Sequence, residues 1–545
     1  MSTCPNTPVS SLSMIPYSGQ WTIEQASHLL RRTLFGPTRA QINQILSLTV
    51  DQAVESILQI VPPTDPITWY PGEAISSQGQ SWVNDFLPLD ETLKNETNLA
   101  RKYSMYTWLV KRMNDEQNIS PSITEKICFF WHNHFAVTRR SDDRHNYNYL
   151  RLLETHALGN FKTLVEEMTV NPAMMYFLDT AWNTKWSPNE NYARELLELY
   201  TVGKGEQIGP GDYSHYTEDD IAAGAKILTG WKVRENESAI AHPYSEFEQS
   251  HHDTTDKTLS YHFNNLTISN SDEQEYKDFI NVIFQKNETA FHISRKLYTF
   301  FVNTEITPEI ETNIISVMAQ TILDNNYEIR PALAQLLKSE HFYDIGNIGA
   351  NIKSPYEFIF SMINTTETYT NYGIEGDNLI WSKLYTKAWT FDLSWYYPPS
   401  VSGWPAYYKN PAFMQHWINS GTIDRRFRLI KNLTTDNNGI TTDTFGTLYT
   451  LKINGLTFLS SLQTPSNGTG LIDEICELFL ARPLEQSKKD ALLNTLTGGL
   501  PEFEWEVQYY EYIANPNDIT FSDPIKSKIE EVLSQLFMFP EFQSC

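Results

Sequence analysis

Cysteine is scarce: the 545 residues hold four, Cys4, Cys128, Cys476 and Cys545, and no two stand in a CxxC. That excludes a thiolate zinc site and a c-type haem attachment, and it indicates no disulfide framework; a bridge between Cys4 and Cys545, at the two termini, is the one pairing left open. Positive charge is short as well, with 41 Lys and Arg against 66 Asp and Glu and a formal net charge of −25. Affinity for nucleic acid or anionic lipid rests on clustered cations, so neither polyanion is an expected partner. The runs Arg31-Arg32 and Arg425-Arg426 are too short to change this. No window approaches the ~20 apolar residues of a membrane span. Residues 1–20 lack the basic start and apolar stretch of a signal peptide, which leaves a soluble chain of open compartment: cytoplasmic, exported with a partner, or released from a longer precursor. Walker and GxSxG sequences are missing, which removes the standard parts of nucleotide phosphoryl transfer and of the usual serine hydrolase.

What is present is material for a large core. Apolar residues are 41% and aromatic residues 13%, including 14 Trp and 29 Tyr, too much for a disordered chain. From Trp21 the text reads as successive helices. Thr22, Thr38 and Thr49 are placed to cap the first three, and a long periodic segment covers about Glu91 to Asn114. Ser122-Ile-Thr-Glu125 reads as a capping box opening the next helix. Further helices are expected at about 143–158, 160–170, 189–202, 217–230, 271–285, 287–303, 307–324 and 330–339. Of two further caps, Ser271 with Gln274 matches the capping box more closely than Thr217 with Asp220. Residues 233–270 are polar, rich in His and Tyr, and read as an insertion with two short strands. A second break falls at 433–446. The expected fold is therefore mainly α: a large multi-helical single-core domain over 21–432, preceded by an extension over 1–20, carrying the irregular 233–270 insertion and followed by a helical C-terminal subdomain over 447–545.

Three constellations could carry chemistry. In Phe129-Phe-Trp-His-Asn-His-Phe135 two imidazoles sit among aromatics and must find partners. On a helix His132 and His134 point about 200° apart, so they could share a ligand only if the segment is strand-like or ends its helix there. Each could equally bond neighbouring backbone in the core. Along Asn189 to Glu198, a helical wheel gathers Tyr192, Ala193, Leu196, Leu197, Leu199 and Tyr200 on one arc, with Asn191, Arg194, Glu195 and Glu198 on the other. Glu195 and Glu198 at i, i+3 can present two carboxylates to one cation, and Arg194 can hold an anion or orient a carboxylate. The bland alternative is a solvated face. In the insertion, His252 and Asp253 offer an imidazole beside a carboxylate, and His242 and His262 are further candidate ligands for a cation. A haem held non-covalently by one of the histidines is also compatible with the sequence.

Several stretches carry a family resemblance: Ala26-Ser-His-Leu-Leu-Arg-Arg-Thr-Leu-Phe-Gly36, Phe130-Trp-His-Asn-His-Phe135, Ala157-Leu-Gly-Asn-Phe161, Asn189-Glu-Asn-Tyr-Ala-Arg-Glu-Leu-Leu-Glu198, Tyr216-Thr-Glu-Asp-Asp220, Leu228-Thr-Gly-Trp231, His252-Asp253 and Pro398-Pro-Ser-Val-Ser-Gly-Trp-Pro405. Over roughly residues 20 to 430 the chain resembles the bacterial domain-of-unknown-function 1800 family, in its Bacteroidetes-type branch. The resemblance implies an all-helical fold, no agreed activity, and a functional pairing with an alkaline-phosphatase-like protein of the 1501 family. Together with the constellations it leads to one expectation: His132, Arg194, Glu195 and His252 act in a pocket where His132, His134, Glu195, Glu198, His252 and Asp253 supply ligands to a divalent metal ion. The reaction would be metal-assisted hydrolysis of a saccharide or ester-bearing biopolymer. The alternative is a non-catalytic scaffold or secretion companion of the 1501-type partner.

Overall fold

The computed structural model describes residues 9–114, 120–235, 241–436, 438–442 and 446–545. Local chemistry sets the first helices. Thr38 and Thr49 close capping boxes on Arg39–Leu46 and Val50–Ile57: each hydroxyl accepts from the Gln N–H three residues on, and that Gln side chain accepts the threonine N–H. Ahead of Ile23–Thr33, Gln25 likewise accepts the Thr22 N–H at 3.3 Å. Helix Glu91–Lys111 starts at Asp90, whose carboxylate takes the Thr92 and Leu93 N–H groups.

Two expected capping boxes do not form, because tertiary partners outcompete the local bond. Helix Thr124–Phe135 begins past Ser122, whose hydroxyl donates to the Gln59 carbonyl at 2.7 Å while Glu125 is drawn to Arg112 at 2.8 Å. Ser271 donates to Asp278 at 2.5 Å, and helix Glu275–Ile283 follows a 3-10 turn, Asp272–Gln274. The pair ranked lower is the one that closes: Asp220 accepts the Thr217 N–H at 2.7 Å and Thr217 caps Glu218–Ile227.

The insertion holds two antiparallel hairpins rather than two strands, Trp231–Arg234 with Tyr244–Phe247 and Lys257–Thr258 with Thr267–Ile268. The break at 433–446 leads into another, Ile440–Thr442 with Tyr449–Leu451. Helices on both sides of that break, among them Pro355–Ile363, Gly468–Phe479 and Ile519–Met538, bury their apolar faces in one continuous core. Arg31 reinforces the join, donating to the Glu477 and Leu478 carbonyls at 3.0 and 2.9 Å. The protein is mainly α. Among the described residues no helix is long and apolar enough to cross a membrane. Cys545 is buried, its Sγ 3.0 Å from Arg32 Nη1, and Cys4, its considered partner, lies outside the described residues.

Buried charge ties the centre together. Lys126 on Thr124–Phe135 meets the Glu357 carboxylate on Pro355–Ile363 and donates to the Leu34 carbonyl at 3.3 Å. Glu357 also accepts the Ser354 N–H at 2.6 Å. Burial alone would raise the Glu357 carboxyl, but Lys126, Arg32 and the Ser354 N–H outweigh it and hold it at about 2. Because the folded value lies below the ordinary 4.5, this stabilisation is complete above pH 4.5 and drains as pH falls towards 2. Glu357→Gln leaves Lys126 buried without its counter-charge and is expected to cost about 3–5 kcal/mol at neutral pH. Thermal melts check this, and the gap to wild type is expected to narrow as the buffer is acidified towards pH 2.

Candidate acid–base site

Helix Thr124–Phe135 continues through both histidines and stops where Ala136 turns left-handed (φ 50°), so the two rings diverge as helical geometry requires. His132 is fully buried: its Nε2–H donates to the Trp395 carbonyl, and Nδ1 meets the Tyr149 hydroxyl at 2.9 Å. Burial pushes its pKa down to about 4, opposed only in part by the Trp395 bond. It is a neutral core imidazole with both nitrogens in use. His134 donates from Nε2 to the Tyr200 carbonyl at 3.2 Å, and burial, with Lys296 and His292 nearby, holds it well below the ordinary range. Both histidines thus make the core hydrogen bonds to backbone that the sequence left open beside ligation, and Nδ1 of His134 has no hydrogen-bond partner among the described residues.

The Tyr200 carbonyl is open for a local reason. After Asn191–Glu195 the helix widens to π geometry over Leu196–Tyr200, and the chain then leaves through Thr201 and Gly203 (φ 75°). The last carbonyls of a helix have no partner within it and carry its negative dipole end. Cationic and imidazole donors from other elements satisfy them: His292 Nε2 reaches the Leu199 carbonyl at 3.0 Å, Lys296 Nζ the same oxygen at 3.2 Å, and His134 that of Tyr200. Burial lowers Lys296 to about 8 and, with the charge of Lys296, lowers His292 to about 3. A regular helical wheel gives no sign of this widening.

The same helix carries the carboxylate pair. Glu195 and Glu198 are both half-buried. Burial first, and the neighbouring Glu198 charge second, raise Glu195 to about 7, while Arg194 and Lys204 pull it back. Glu198 is gripped on both oxygens, by Lys204 Nζ at 3.0 Å and by the Tyr216 hydroxyl at 3.1 Å. The Tyr216 phenol is itself raised, by burial and by Glu198. Arg194 forks onto Glu218 at 2.9 and 2.8 Å and reaches Glu190 at 3.1 Å. Of its two expected roles it thus orients a carboxylate, that of Glu218. Lys204 and Tyr216 escaped the sequence reading. Tyr216 stands beside a helix cap and was absorbed into it, and Lys204 lies beyond the helix that carries its partner.

His252 belongs to a separate network. Its Nδ1–H donates to the Thr229 carbonyl at 2.9 Å and its Nε2–H to Glu275 at 2.8 Å, and Lys257 meets the other Glu275 oxygen at 2.6 Å. Burial opposes its protonation, but the Glu275 and Thr229 bonds outweigh burial and raise its pKa. Asp253 folds onto Thr255, accepting its N–H at 2.9 Å, and closes a turn. His242 lies between Asn148 and Asn84, and His262 pairs with Asp212 at 2.9 Å. His132, the Glu195–Glu198 pair and His252 therefore share no bonding partner, and among the described residues no three His, Cys, Asp or Glu form a group that could hold a metal ion. His132 and His252 engage both ring nitrogens with protein groups, and His134 engages Nε2.

A cleft of about 390 Å³ lies elsewhere, lined by residues such as Pro62, Asp65, Trp108, Arg112, Glu125 and Lys126. Apart from Lys111, its charged groups are matched among the described residues: Arg112 to Glu125 and Glu154, Lys126 to Glu357, and Asp65 to the Tyr147 hydroxyl. The carboxyl held near neutrality beside a second carboxyl is Glu195, on the π-widened helix.

The family model described as "Protein of unknown function (DUF1800)" matches residues 28–544. The chain belongs to the DUF1800 family. No curated protein and no solved structure matches it. The DUF1800 match runs through the 433–446 break into the last helices, further than the stretches that carried the resemblance. It includes His252, which in this DUF1800 chain pins the insertion to helix Glu275–Ile283. Because the folded pKa of His252 is raised above 6.5, its contribution is complete below that pH and is lost as pH rises through the folded value. His252→Gln is expected to lower stability by about 3 kcal/mol, the low end for breaking a buried pair. Thermal melts are expected to show a larger deficit in mildly acidic than in alkaline buffer.

Proposed function

We propose that this protein is a hydrolase of glycosidic or ester bonds that works by general acid–base catalysis at Glu195 and Glu198. The observation that carries this reading is the asymmetry of the pair: burial and the Glu198 charge hold Glu195 at about 7, while Lys204 and Tyr216 grip the two oxygens of Glu198. A carboxyl held near neutrality can serve as the acid, and a second carboxyl on the same helix, positioned by a lysine and a phenol, as the base. Glu195, half protonated near neutrality, gives its proton to the leaving oxygen as the bond to carbon breaks. Glu198 takes a proton from the attacking water, whose oxygen forms the new bond to that carbon. Proton exchange with solvent then resets both groups. Lys204 and Tyr216 keep Glu198 in one position through the cycle. This reading keeps the hydrolase expected from the sequence and leaves the metal out of it, since the cationic and hydrogen-bonding partners of Glu198 are side chains of this chain.

A second reading, a scaffold for a partner such as the 1501-type protein, is favoured by helix Glu502–Ala514. Its Phe503, Val507, Tyr510 and Ile513 are 47–60% exposed, and Trp505 alone of its residues is buried. An apolar stripe of this kind marks a docking surface. Glu502, Glu504, Glu506 and Glu511 lie on the same helix, so a basic-rimmed partner fits better than a second copy of a chain carrying −25.

One set of variants separates the readings. Release of nitrophenol from aryl glycosides and aryl esters is expected in wild type, with a kcat that depends on a group titrating near 7. Glu195→Gln is expected to lower kcat about 10²–10⁴-fold, the range for loss of a general acid, without lowering the melting temperature. Activity that survives in Glu195→Gln, or its absence from wild type across both substrate series, favours the scaffold.

A further inference from the structure

We infer that the loop before the Glu195 helix is a saccharide-binding platform built on Trp182 and Trp186. Their side chains are 58% and 68% exposed, and neither indole N–H has a hydrogen-bond partner among the described residues. Large aromatic surface left in water at a fixed place is costly to keep and marks a binding site.

The platform is rigid. Asn183, buried between the two indoles in sequence, donates to the Ala225 carbonyl at 2.8 Å and accepts the Asn189 N–H at 2.9 Å. Its own carbonyl accepts the Gly230 N–H at 3.2 Å, and the Lys185 N–H donates to the His251 carbonyl at 2.9 Å. Asn191 ties the helix start to Asp179 at 3.0 Å. The rings are supported from beneath: Trp182 lies 5.4 Å from Tyr176, and Trp186 meets the edge of His251 at 5.3 Å. A pinned loop meets a ligand with little further ordering cost.

The surroundings decide the ligand class. Among the described residues from 176 to 256, the exposed large hydrophobic side chains are these two indoles, Ile208 and Tyr244. A protein partner or a lipid surface would call for an aliphatic stripe, as on the Phe503 helix, whereas three of these four side chains are aromatic. The neighbours are polar instead: Lys185 Nζ stands 5.0 Å from the Trp186 ring, and the Glu248 carboxylate is held by His251 at 2.6 Å and by Arg234 at 2.5 Å. Flat indole faces match the C–H face of a pyranose ring, and the rim of donors and acceptors matches its hydroxyls. This platform stands on its own observations. It lies on the chain segment that leads directly into Glu195, so if the acid–base reading also holds, it names the substrate class.

The test is affinity electrophoresis of the full chain in gels containing soluble starch, mixed-linkage β-glucan, xylan or glucomannan. Retardation is expected in at least one of the four. The dissociation constant is expected to rise at least about tenfold in Trp186→Ala and in Trp182→Ala, as for loss of a central aromatic anchor. Trp389→Ala, at a tryptophan 51% exposed, serves as a control and is expected to bind as wild type does. Glu195→Gln is also expected to bind as wild type, so failure of the platform and failure of the acid–base reading give different results. A second readout needs no variant: the retarding polysaccharide is expected to shield Trp182 and Trp186 in the wild-type protein from oxidation by N-bromosuccinimide, mapped by peptide mass. No retardation in any of the four gels, or binding and shielding unaffected at these two residues, overturns the inference.

Discussion

The open carbonyls at the end of the π-widened helix are the constraint around which this molecule is arranged. A buried carbonyl without a partner costs on the order of 1–3 kcal/mol, and here the Leu199 and Tyr200 oxygens are met by His292, Lys296 and His134 from two other helices. Those bonds fix helices Thr124–Phe135 and Asn287–Phe301 against the segment that carries Glu195 and Glu198. The price of a carboxyl held at about 7 is a half-buried position beside a like charge, and a chain end anchored from two sides keeps it there.

Charge buried elsewhere serves attachment. Glu357 links the helix of Lys126 to the central helix Pro355–Ile363, and Glu275 links His252 and Lys257 of the insertion to the helical body. Such pairs recover little net free energy after desolvation, yet breaking one strands a charge in a low dielectric, so they discriminate strongly against other arrangements. In a mainly α protein with many similar apolar faces, this selects which helix meets which.

How much was legible in the sequence follows from the range of each interaction. The Thr38 and Thr49 capping boxes reach three residues and were readable, and the helical class followed from periodicity. The Ser122 and Ser271 caps failed because Gln59, Arg112 and Asp278 offered better partners, and of these Gln59 lies 63 residues from Ser122. The Glu195–Glu198 pair was visible as a spacing, whereas its gripping residues, Lys204 and Tyr216, were not, since each lies outside the helix that carries the pair. The histidines misled for a related reason. A motif of imidazoles among aromatics looks the same whether the rings face an ion or a carbonyl, and a π-widening that opens carbonyls leaves no mark in the order of residues.

The central claim is that Glu195 shares protons with solvent near neutrality because of where the fold holds it. The most direct measurement is the titration of its side-chain carboxyl by carbon-13 NMR in protein labelled at glutamate Cδ, assigned with Glu195→Gln and repeated in Glu198→Gln. The account predicts a midpoint near 7 in wild type that moves down towards the ordinary 4.5 when the Glu198 charge is removed. A wild-type midpoint at the ordinary value, or one indifferent to Glu198, would contradict it.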